Sequence, residues 1–180
     1  LHTVEEYKRF VGNGIPRLVE RFAPAPERTP EGLARALEEF SERYGAHRAD
    51  KTAPYAGMPE AVERLRAAGV RTAVLSNKAH ALAGPVVEDY YPGQFPWVQG
   101  ALPGLPTKPD PTLLHRLMEQ MGASPEDTLF VGDSDVDIRT ARNGGLTSCG
   151  VLWGFRGRAE LEAEGADCLA RTPEELVKAV

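Results

Sequence analysis

The chain has 180 residues, of which 42% are hydrophobic, so it can bury a core of its own as one domain or as a core with a small insertion. Its formal net charge of -5 at pH 7 argues against a nucleic-acid-binding surface but allows a local positive pocket for a small anion. No apolar run has the length of a membrane span and no signal-peptide pattern occurs, so we expect neither a membrane partner nor export.

The two cysteines bear on the cellular compartment. Cys149 and Cys168 lie in apolar, strand-like segments and lack the paired spacing of a metal site. Buried free thiols in a reducing compartment are typical of this pattern, and a single disulfide is the alternative. We therefore expect a cytoplasmic protein. Its oligomeric state, monomer or homodimer, is left open by the sequence.

The first third of the chain is predicted to be helical. Thr3 and Glu6 have the spacing of a capping box, a second amphipathic helix is expected over residues 15–22, and Pro30 begins a longer one. No segment of this block shows a convincing strand pattern. We predict a helical domain over residues 1–52.

From about residue 51 onward, helical and strand patterns alternate. Gly84-Pro85 is predicted to interrupt one helix within residues 77–90. Repeated strand-helix units with apolar strands predict an α/β fold with a doubly wound parallel sheet over residues 53–180. The expected strands cover residues 70–75, 97–98, 128–131, 147–152 and 166–169, and the other expected helices cover residues 58–65, 109–121, 138–141, a segment near 160 and the end of the chain from 173.

An acidic run follows the strand at residues 128–131. Asp133 comes directly after it, at the carboxyl edge of the predicted sheet, and Asp137 follows one helical turn later on the same face. Hard carboxylate oxygens at this spacing suit Mg²⁺, which takes one or two protein carboxylates and completes its shell with water and phosphate. The alternative is that these carboxylates only cap a helix and interact with its macrodipole.

Two further polar segments follow strands or precede helices. Ser76 and Asn77 come after the strand at residues 70–75, where a helix is expected to begin, and could bind phosphate through hydroxyl, amide and backbone N–H groups. Lys108 precedes a helix between two prolines, so its ammonium is presented from a stiffened loop. Taken singly, Ser76 or Asn77 could be a simple helix cap and Lys108 a surface lysine.

The order of these three segments is specific. Ser76-Asn77-Lys78, then Lys108-Pro109-Asp110-Pro111, then Gly132-Asp133-Ser134 with Asp137 resembles the second, third and fourth motifs of haloacid dehalogenase-like phosphatases. The resemblance covers nearly the whole chain and is nearest to phosphoglycolate phosphatases and related small-molecule phosphatases with a helical cap. Residues 11–14 with 18–21, 54–58 and 151–156 are also similar to stretches of that family.

The resemblance implies roles for individual residues. Ser76, Asn77 and Lys108 would bind the phosphoryl group, with Ser76 and Lys108 assisting catalysis, while Asp133 and Asp137 would bind or support Mg²⁺. The implied reaction is hydrolysis of a small phosphorylated metabolite, with 2-phosphoglycolate as the first substrate to test, through an aspartyl-phosphate intermediate. In the helical cap, contacts to a substrate carboxylate would come from Asn13, Gly14, Arg17 and Arg21.

The sequence departs from the family pattern at the first motif. The Asp-x-Asp-Gly-Thr segment that supplies the nucleophile is absent, because the only Asp-x-Asp pairs lie within residues 133–137 and follow Lys108. We expect the nucleophile, a central strand and the first cap helix to lie upstream of these residues, and these residues alone to be inactive. Without that central strand, two buried rows of backbone N–H and C=O groups would be unpaired, which is costly. We therefore expect the strands at 70–75 and 128–131 to lie about 9–10 Å apart, or to be bridged by another segment, and not to hydrogen-bond to each other.

Other functions share parts of this pattern. A catalytically inactive phosphate-binding or regulatory module would lack the nucleophile altogether. A phosphonate hydrolase or phosphomutase would share the core and differ in its cap residues. A response-regulator or flavodoxin-like binding domain would share the doubly wound sheet, but the helical block before residue 50 and the Lys108 segment argue against it.

Overall fold

A computed structural model describes residues 2–180 of the chain. They form two compact units, of which the first ends at Ala53 and the second spans Pro54–Val180. No helix within residues 2–180 combines the length and the apolar character that crossing a membrane requires.

The first unit is helical, as predicted. It contains α1 (Val4–Phe10), α2 (Ile15–Phe22), a short 3₁₀ helix (Ala25–Glu27) and α3 (Pro30–His47). The predicted capping box is confirmed at α1, where the Glu6 N–H donates to Thr3 Oγ1 at 3.2 Å and the Thr3 N–H donates to Glu6 Oε2 at 2.7 Å. Val19 is the most deeply buried apolar side chain of this unit, at 1% exposure.

The second unit alternates helices and strands. Its strands are β1 (Ala73–Ala79), β2 (Trp97–Ala101), β3 (Leu129–Gly132), β4 (Thr147–Val151) and β5 (Cys168–Ala170). Its helices are α4 (Met58–Ala67), α5 (His80–Tyr90), α6 (Thr112–Met121), α7 (Asp135–Gly144), α8 (Arg158–Ala163) and α9 (Pro173–Ala179), with a 3₁₀ helix at Pro125–Asp127.

All strand pairs in the described residues are parallel, which confirms the predicted α/β class. The strands form two sheets, β1-β2 and β3-β4-β5, and β1 does not pair with β3. This separation agrees with the expectation that the two strands are not direct neighbours. Apolar side chains from helices and strands fill two core clusters, Leu114, Met118, Ala141 and Leu146 in one and Cys149, Val151, Ala170 and Leu176 in the other.

Three local predictions were wrong. β1 begins at Ala73 and continues to Ala79, so Ser76 and Asn77 lie within the strand rather than at the start of a helix. α5 continues through Pro85 without interruption, because a proline in the second turn removes only one N–H bond from the helix. α6 begins at Thr112 rather than at Pro109, since Asp110 accepts the Thr112 N–H at 2.9 Å and forms a turn first.

Candidate active site

An irregularity in β1 presents the first polar segment. Leu75 pairs with Gln99 and Ala79 pairs with Ala101, so four steps along β1 lie opposite two steps along β2. Such a bulge re-aims side chains at the end of a strand. Within it, Ser76 Oγ accepts the Lys78 N–H at 3.1 Å, and the Ser76 hydroxyl hydrogen has no acceptor in the part of the chain that the structure describes.

The end of β1 is tied to the loop before α6 by a pair of hydrogen bonds. The Asn77 side-chain amide donates to Lys108 O at 3.1 Å and accepts the Lys108 N–H at 2.8 Å. The Asn143 amide donates to Pro109 O at 2.9 Å and holds the same loop from α7. Asn77 therefore positions the Lys108 backbone, a role that the sequence pattern did not indicate.

The Lys108 ammonium lies between a carboxylate and an aromatic ring. Its Nζ donates to Asp137 Oδ1 at 2.7 Å and lies 5.9 Å from the centroid of the Phe130 ring, within cation-π range. Only 14% of the Lys108 side chain and 9% of the Asp137 side chain are exposed to solvent. Lys108 is thus a held, largely desolvated cation rather than a mobile surface lysine.

Asp137 has a second set of contacts at the start of α7. Its Oδ2 accepts the Ser134 Oγ–H at 2.6 Å, the Ser134 N–H at 3.1 Å and the Asp133 N–H at 3.2 Å. These bonds close the helix N-terminus in the manner of a capping carboxylate. The capping alternative thus describes one oxygen of Asp137, while the other oxygen carries the ion pair with Lys108.

Asp133 lies directly after β3 and has fewer partners. Its Oδ2 accepts the Phe155 N–H at 2.9 Å, and the only other hydrogen bond to this carboxyl group within residues 2–180 comes from Asp133's own backbone N–H. Burial raises the pKa of the Asp133 carboxyl, the Phe155 N–H lowers it, the charge of Asp137 raises it and that of Lys108 lowers it. A buried carboxylate whose negative charge is only partly offset by hydrogen-bond donors and nearby cations is a chemically suitable ligand for a hard divalent cation.

Two glycines permit the close packing of these carboxylates. A Cβ at Gly132 would lie 2.1 Å from Asp137 Cβ, and a Cβ at Gly154 would lie 2.1 Å from Asp133 Cβ. Neither distance is possible for real atoms, so a side chain at either position would displace a site carboxylate. Gly132 belongs to the quoted Gly132-Asp133-Ser134 motif, whereas no local sequence pattern indicates that Gly154 or the Phe155 N–H is part of the site.

Most of the predicted site residues of the second unit lie close together. Lys108 contacts Asn77 and Asp137 directly, and its charge acts on Asp133. No group of three or more His, Cys, Asp or Glu side chains within residues 2–180 is arranged to hold a metal ion. A cation at Asp133 would accordingly depend on few protein ligands, as Mg²⁺ sites do.

The residues predicted to contact substrate in the cap belong to the first unit. Asn13, Arg17 and Arg21 line a cavity of about 480 Å³ there, together with Glu20 and Arg28. Gly14 is the N-cap residue of α2, with a φ of 83° that a residue with a side chain rarely adopts. Their contact with a substrate stays a prediction.

Comparison with known proteins identifies the family. A model of haloacid dehalogenase-like hydrolases matches residues 1–145. A phosphoglycolate phosphatase of Pseudomonas putida is 31% identical over 166 residues, which are 89% of this chain and 61% of that protein. One of Thiobacillus denitrificans is 31% identical over 169 residues, 90% of this chain and 74% of that protein.

A solved structure agrees with the sequence relatives. A protein of Lactobacillus delbrueckii subsp. bulgaricus, assigned as a phosphoglycolate phosphatase, has 31% identity and a TM-score of 0.89, over 99% of this chain and 83% of that one. The chain spans about three fifths of the length of the Pseudomonas relatives. With a family model that covers most of its length, the chain belongs to the haloacid dehalogenase-like hydrolases.

Proposed function

We propose that the protein is a Mg²⁺-dependent phosphatase of a small phosphorylated metabolite, with 2-phosphoglycolate as the leading substrate. The observation that carries this proposal is the desolvated Lys108 ammonium, held 2.7 Å from Asp137 and close enough to interact electrostatically with Asp133, whose pKa is raised by burial. A fixed lysine ammonium can pair with a phosphate, and a buried carboxylate such as Asp133 can bind the divalent metal ion that accompanies the phosphate. The phosphoglycolate phosphatases among the relatives supply the choice of substrate.

Phosphate binding is proposed to involve Lys108, Ser76 and Asn77, each in a different way. Lys108 offers a positive charge, and the Ser76 hydroxyl can donate its hydrogen to a phosphoryl oxygen while its Oγ accepts the Lys78 N–H. Asn77 acts by fixing Lys108 through the paired bonds of 2.8 and 3.1 Å, and it is proposed to bind the phosphoryl group as well. Lys108 and Ser76 thereby offset negative charge on the phosphoryl group as the reaction proceeds.

Asp133 is the residue that would hold Mg²⁺, since its buried carboxyl group has few hydrogen-bond donors within residues 2–180. Asp137 would support that site from α7, where its own oxygens are bonded to Lys108 and to the helix N-terminus. When bound, a divalent cation offsets phosphoryl charge and orients the group for in-line attack.

The nucleophile is proposed to be an aspartate outside these 180 residues. Its carboxylate would attack phosphorus and expel the alkoxide leaving group, which takes up a proton, and water would then hydrolyse the aspartyl phosphate to inorganic phosphate. The unpaired edges of β1 and β3 in the described residues are compatible with an additional strand that delivers it. Asn13, Gly14, Arg17 and Arg21 are proposed to contact the substrate carboxylate.

Phosphate release from 2-phosphoglycolate tests this proposal. We expect release from the protein made from its complete reading frame with Mg²⁺, and none from residues 1–180 alone. Asp133→Asn should lower kcat by about 10²–10³-fold, the scale for loss of one charge-stabilising group. The matched control is Asp127→Asn, because Asp127 is exposed and its carboxylate accepts the Ser124 Oγ–H at 3.0 Å, far in sequence from the site residues.

Each contrary result is informative. Hydrolysis by residues 1–180 alone would contradict an external nucleophile. Binding of inorganic phosphate at Lys108 without hydrolysis by the complete protein would instead indicate a catalytically inactive phosphate-binding module. A panel of phosphorylated metabolites and phosphonates, measured in parallel, would separate a phosphatase from a phosphonate hydrolase.

A further inference from the structure

The loop between β4 and α8 lies against Asp133. Two of its backbone groups bond to that residue: the Phe155 N–H donates to Asp133 Oδ2 at 2.9 Å, and the Arg156 N–H donates to Asp133 O at 3.1 Å. The first bond fixes one carboxylate oxygen, and the second ties the loop to the backbone just after β3. The orientation of the Asp133 carboxyl group therefore depends on where this loop is held.

Most residues of this loop do little to hold it near Asp133. Gly154 and Gly157 have no side chain, and Phe155 is 42% exposed, so none of the three packs this stretch into the core. Trp153 packs against the second core cluster, but it lies two residues before Phe155. Between Trp153 and α8, the side chain of Arg156 is therefore the anchor of the loop.

The Arg156 side chain is buried and paired with two carboxylates. Only 10% of it is exposed, and its Nε lies 3.0 Å from Glu160 Oε1 and 3.7 Å from Asp135 Oδ1. Asp135 is the first residue of α7, and Glu160 lies in the first turn of α8. Opening a largely buried ion pair leaves a desolvated charge, so these contacts resist opening more than exposed pairs do.

We propose that Arg156 is a positioning residue for Asp133, because its side chain holds the loop against α7 and keeps the Phe155 N–H directed at the Asp133 carboxyl group. This inference rests on the proposed function, in which Asp133 holds Mg²⁺. Groups that hydrogen-bond to a metal ligand orient it, and their loss typically lowers metal affinity by about 10–100-fold. Arg156 acts through the loop and not by contact with substrate or metal ion.

Arg156→Met, in the protein made from its complete reading frame, tests the proposal. The change removes the guanidinium and keeps most of the apolar stem. The Mg²⁺ concentration for half-maximal phosphate release should rise by about 10–100-fold, while kcat at saturating Mg²⁺ stays within about threefold. Calorimetric titration with Mg²⁺ alone should show the same loss of affinity without substrate. Arg156→Lys, which keeps a charge but not the planar guanidinium, should recover part of that affinity.

Amide hydrogen exchange in Mg²⁺-free buffer reports on the loop directly. In Arg156→Met the Phe155 N–H should exchange at least about tenfold faster than in the wild type, because the loop opens without its anchor. The amides of β4 should keep their wild-type exchange rates, since its pairing with β3 and β5 does not involve Arg156.

Arg158→Met is the matched control. Arg158 Nη1 pairs with Glu162 Oε1 at 2.9 Å, with the same four-residue spacing as Arg156 and Glu160. Both side chains of this control pair are half-exposed, and the pair lies within α8. The replacement should leave both the Mg²⁺ affinity and the exchange of the Phe155 N–H unchanged.

The outcomes separate positioning from simple stabilisation. Wild-type Mg²⁺ affinity in Arg156→Met, or an equal loss in Arg158→Met, would overturn the proposal. Equal acceleration of the Phe155 and β4 amides would overturn it as well, because Arg156 would then only stabilise the fold. A wild type that neither releases phosphate nor binds Mg²⁺ would contradict the proposed function instead. In that case faster exchange confined to the loop would still support Arg156 as the anchor beside Asp133, and unchanged exchange would overturn it.

Discussion

Replacing Lys108 with Met should destabilise the second unit strongly. The change removes the ammonium but keeps most of the apolar stem over Phe130, so the loss reports on the ion pair at 2.7 Å. Removing one partner of a buried pair costs about 3–5 kcal/mol, because the other charge is left desolvated. Asp137 keeps three hydrogen bonds at its other oxygen, so we expect the lower end, about 3 kcal/mol.

Urea unfolding of the wild type, Lys108→Met, Asp137→Asn and the double variant would measure this. Both side chains are almost wholly buried, so the coupling energy should exceed about 1.5 kcal/mol and persist in high salt. A loss of about 3 kcal/mol corresponds to a fall in Tm of roughly 6–12 °C for a chain of this size. A loss below about 1 kcal/mol, as for an exposed pair, would refute the assignment of Lys108 as a held, desolvated cation.

Three further predictions follow from the same unit. Gly132→Ala should lower the free energy of unfolding by at least about 2 kcal/mol, because the added Cβ would lie 2.1 Å from Asp137 Cβ. The control is Gly84→Ala in α5, where an added Cβ has no neighbour within 4 Å, so the free energy of unfolding should rise by about 0.5–1 kcal/mol. Denaturant titrations measure both changes. Asp133→Asn should stabilise the fold at neutral pH. Burial raises the Asp133 pKa above its ordinary value of 3.8, so the wild-type free energy of unfolding falls as pH rises through the folded-state pKa. The difference in free energy of unfolding between variant and wild type should disappear in acid, and a difference that persists there would contradict this reasoning. Burial raises the pKa of Cys149 to about 12, so iodoacetamide at pH 8 should modify Cys149 only after unfolding, as mass spectrometry can check against urea-treated protein.

Local sequence signals predicted much of this fold. The Thr3 capping box, α2 and the strand that ends before Asp133 depend on residues within one or two turns, and each occurs within a residue or two of its predicted place. The sequence also predicted that Lys108 lies next to a proline in a stiffened loop. These features share a short range in sequence, where propensity and capping dominate.

Long-range contacts explain what the sequence did not reveal. The extension of β1 through Ser76 depends on pairing with β2, more than 20 residues away, and the Asp133 position depends on a Phe155 N–H that is 22 residues downstream. Gly154 has no local signal, since its φ is not in the left-handed region and only packing against Asp133 requires it. Asp137 has the capping role at one oxygen and pairs with Lys108 at the other, while its support of a metal ion stays a prediction.

The two separate sheets have a consequence for solution behaviour. In the described residues, β3 pairs with β4 on one side only, and Val131 in β3 is 40% exposed. A strand with an open edge and an accessible β-branched side chain is a template for pairing with a second chain, so residues 1–180 should self-associate as concentration rises. The short length of β3, four residues, limits that tendency, and a lysine in place of Val131 should reduce it further. Light scattering across a concentration series would show whether this edge governs the solubility of the chain.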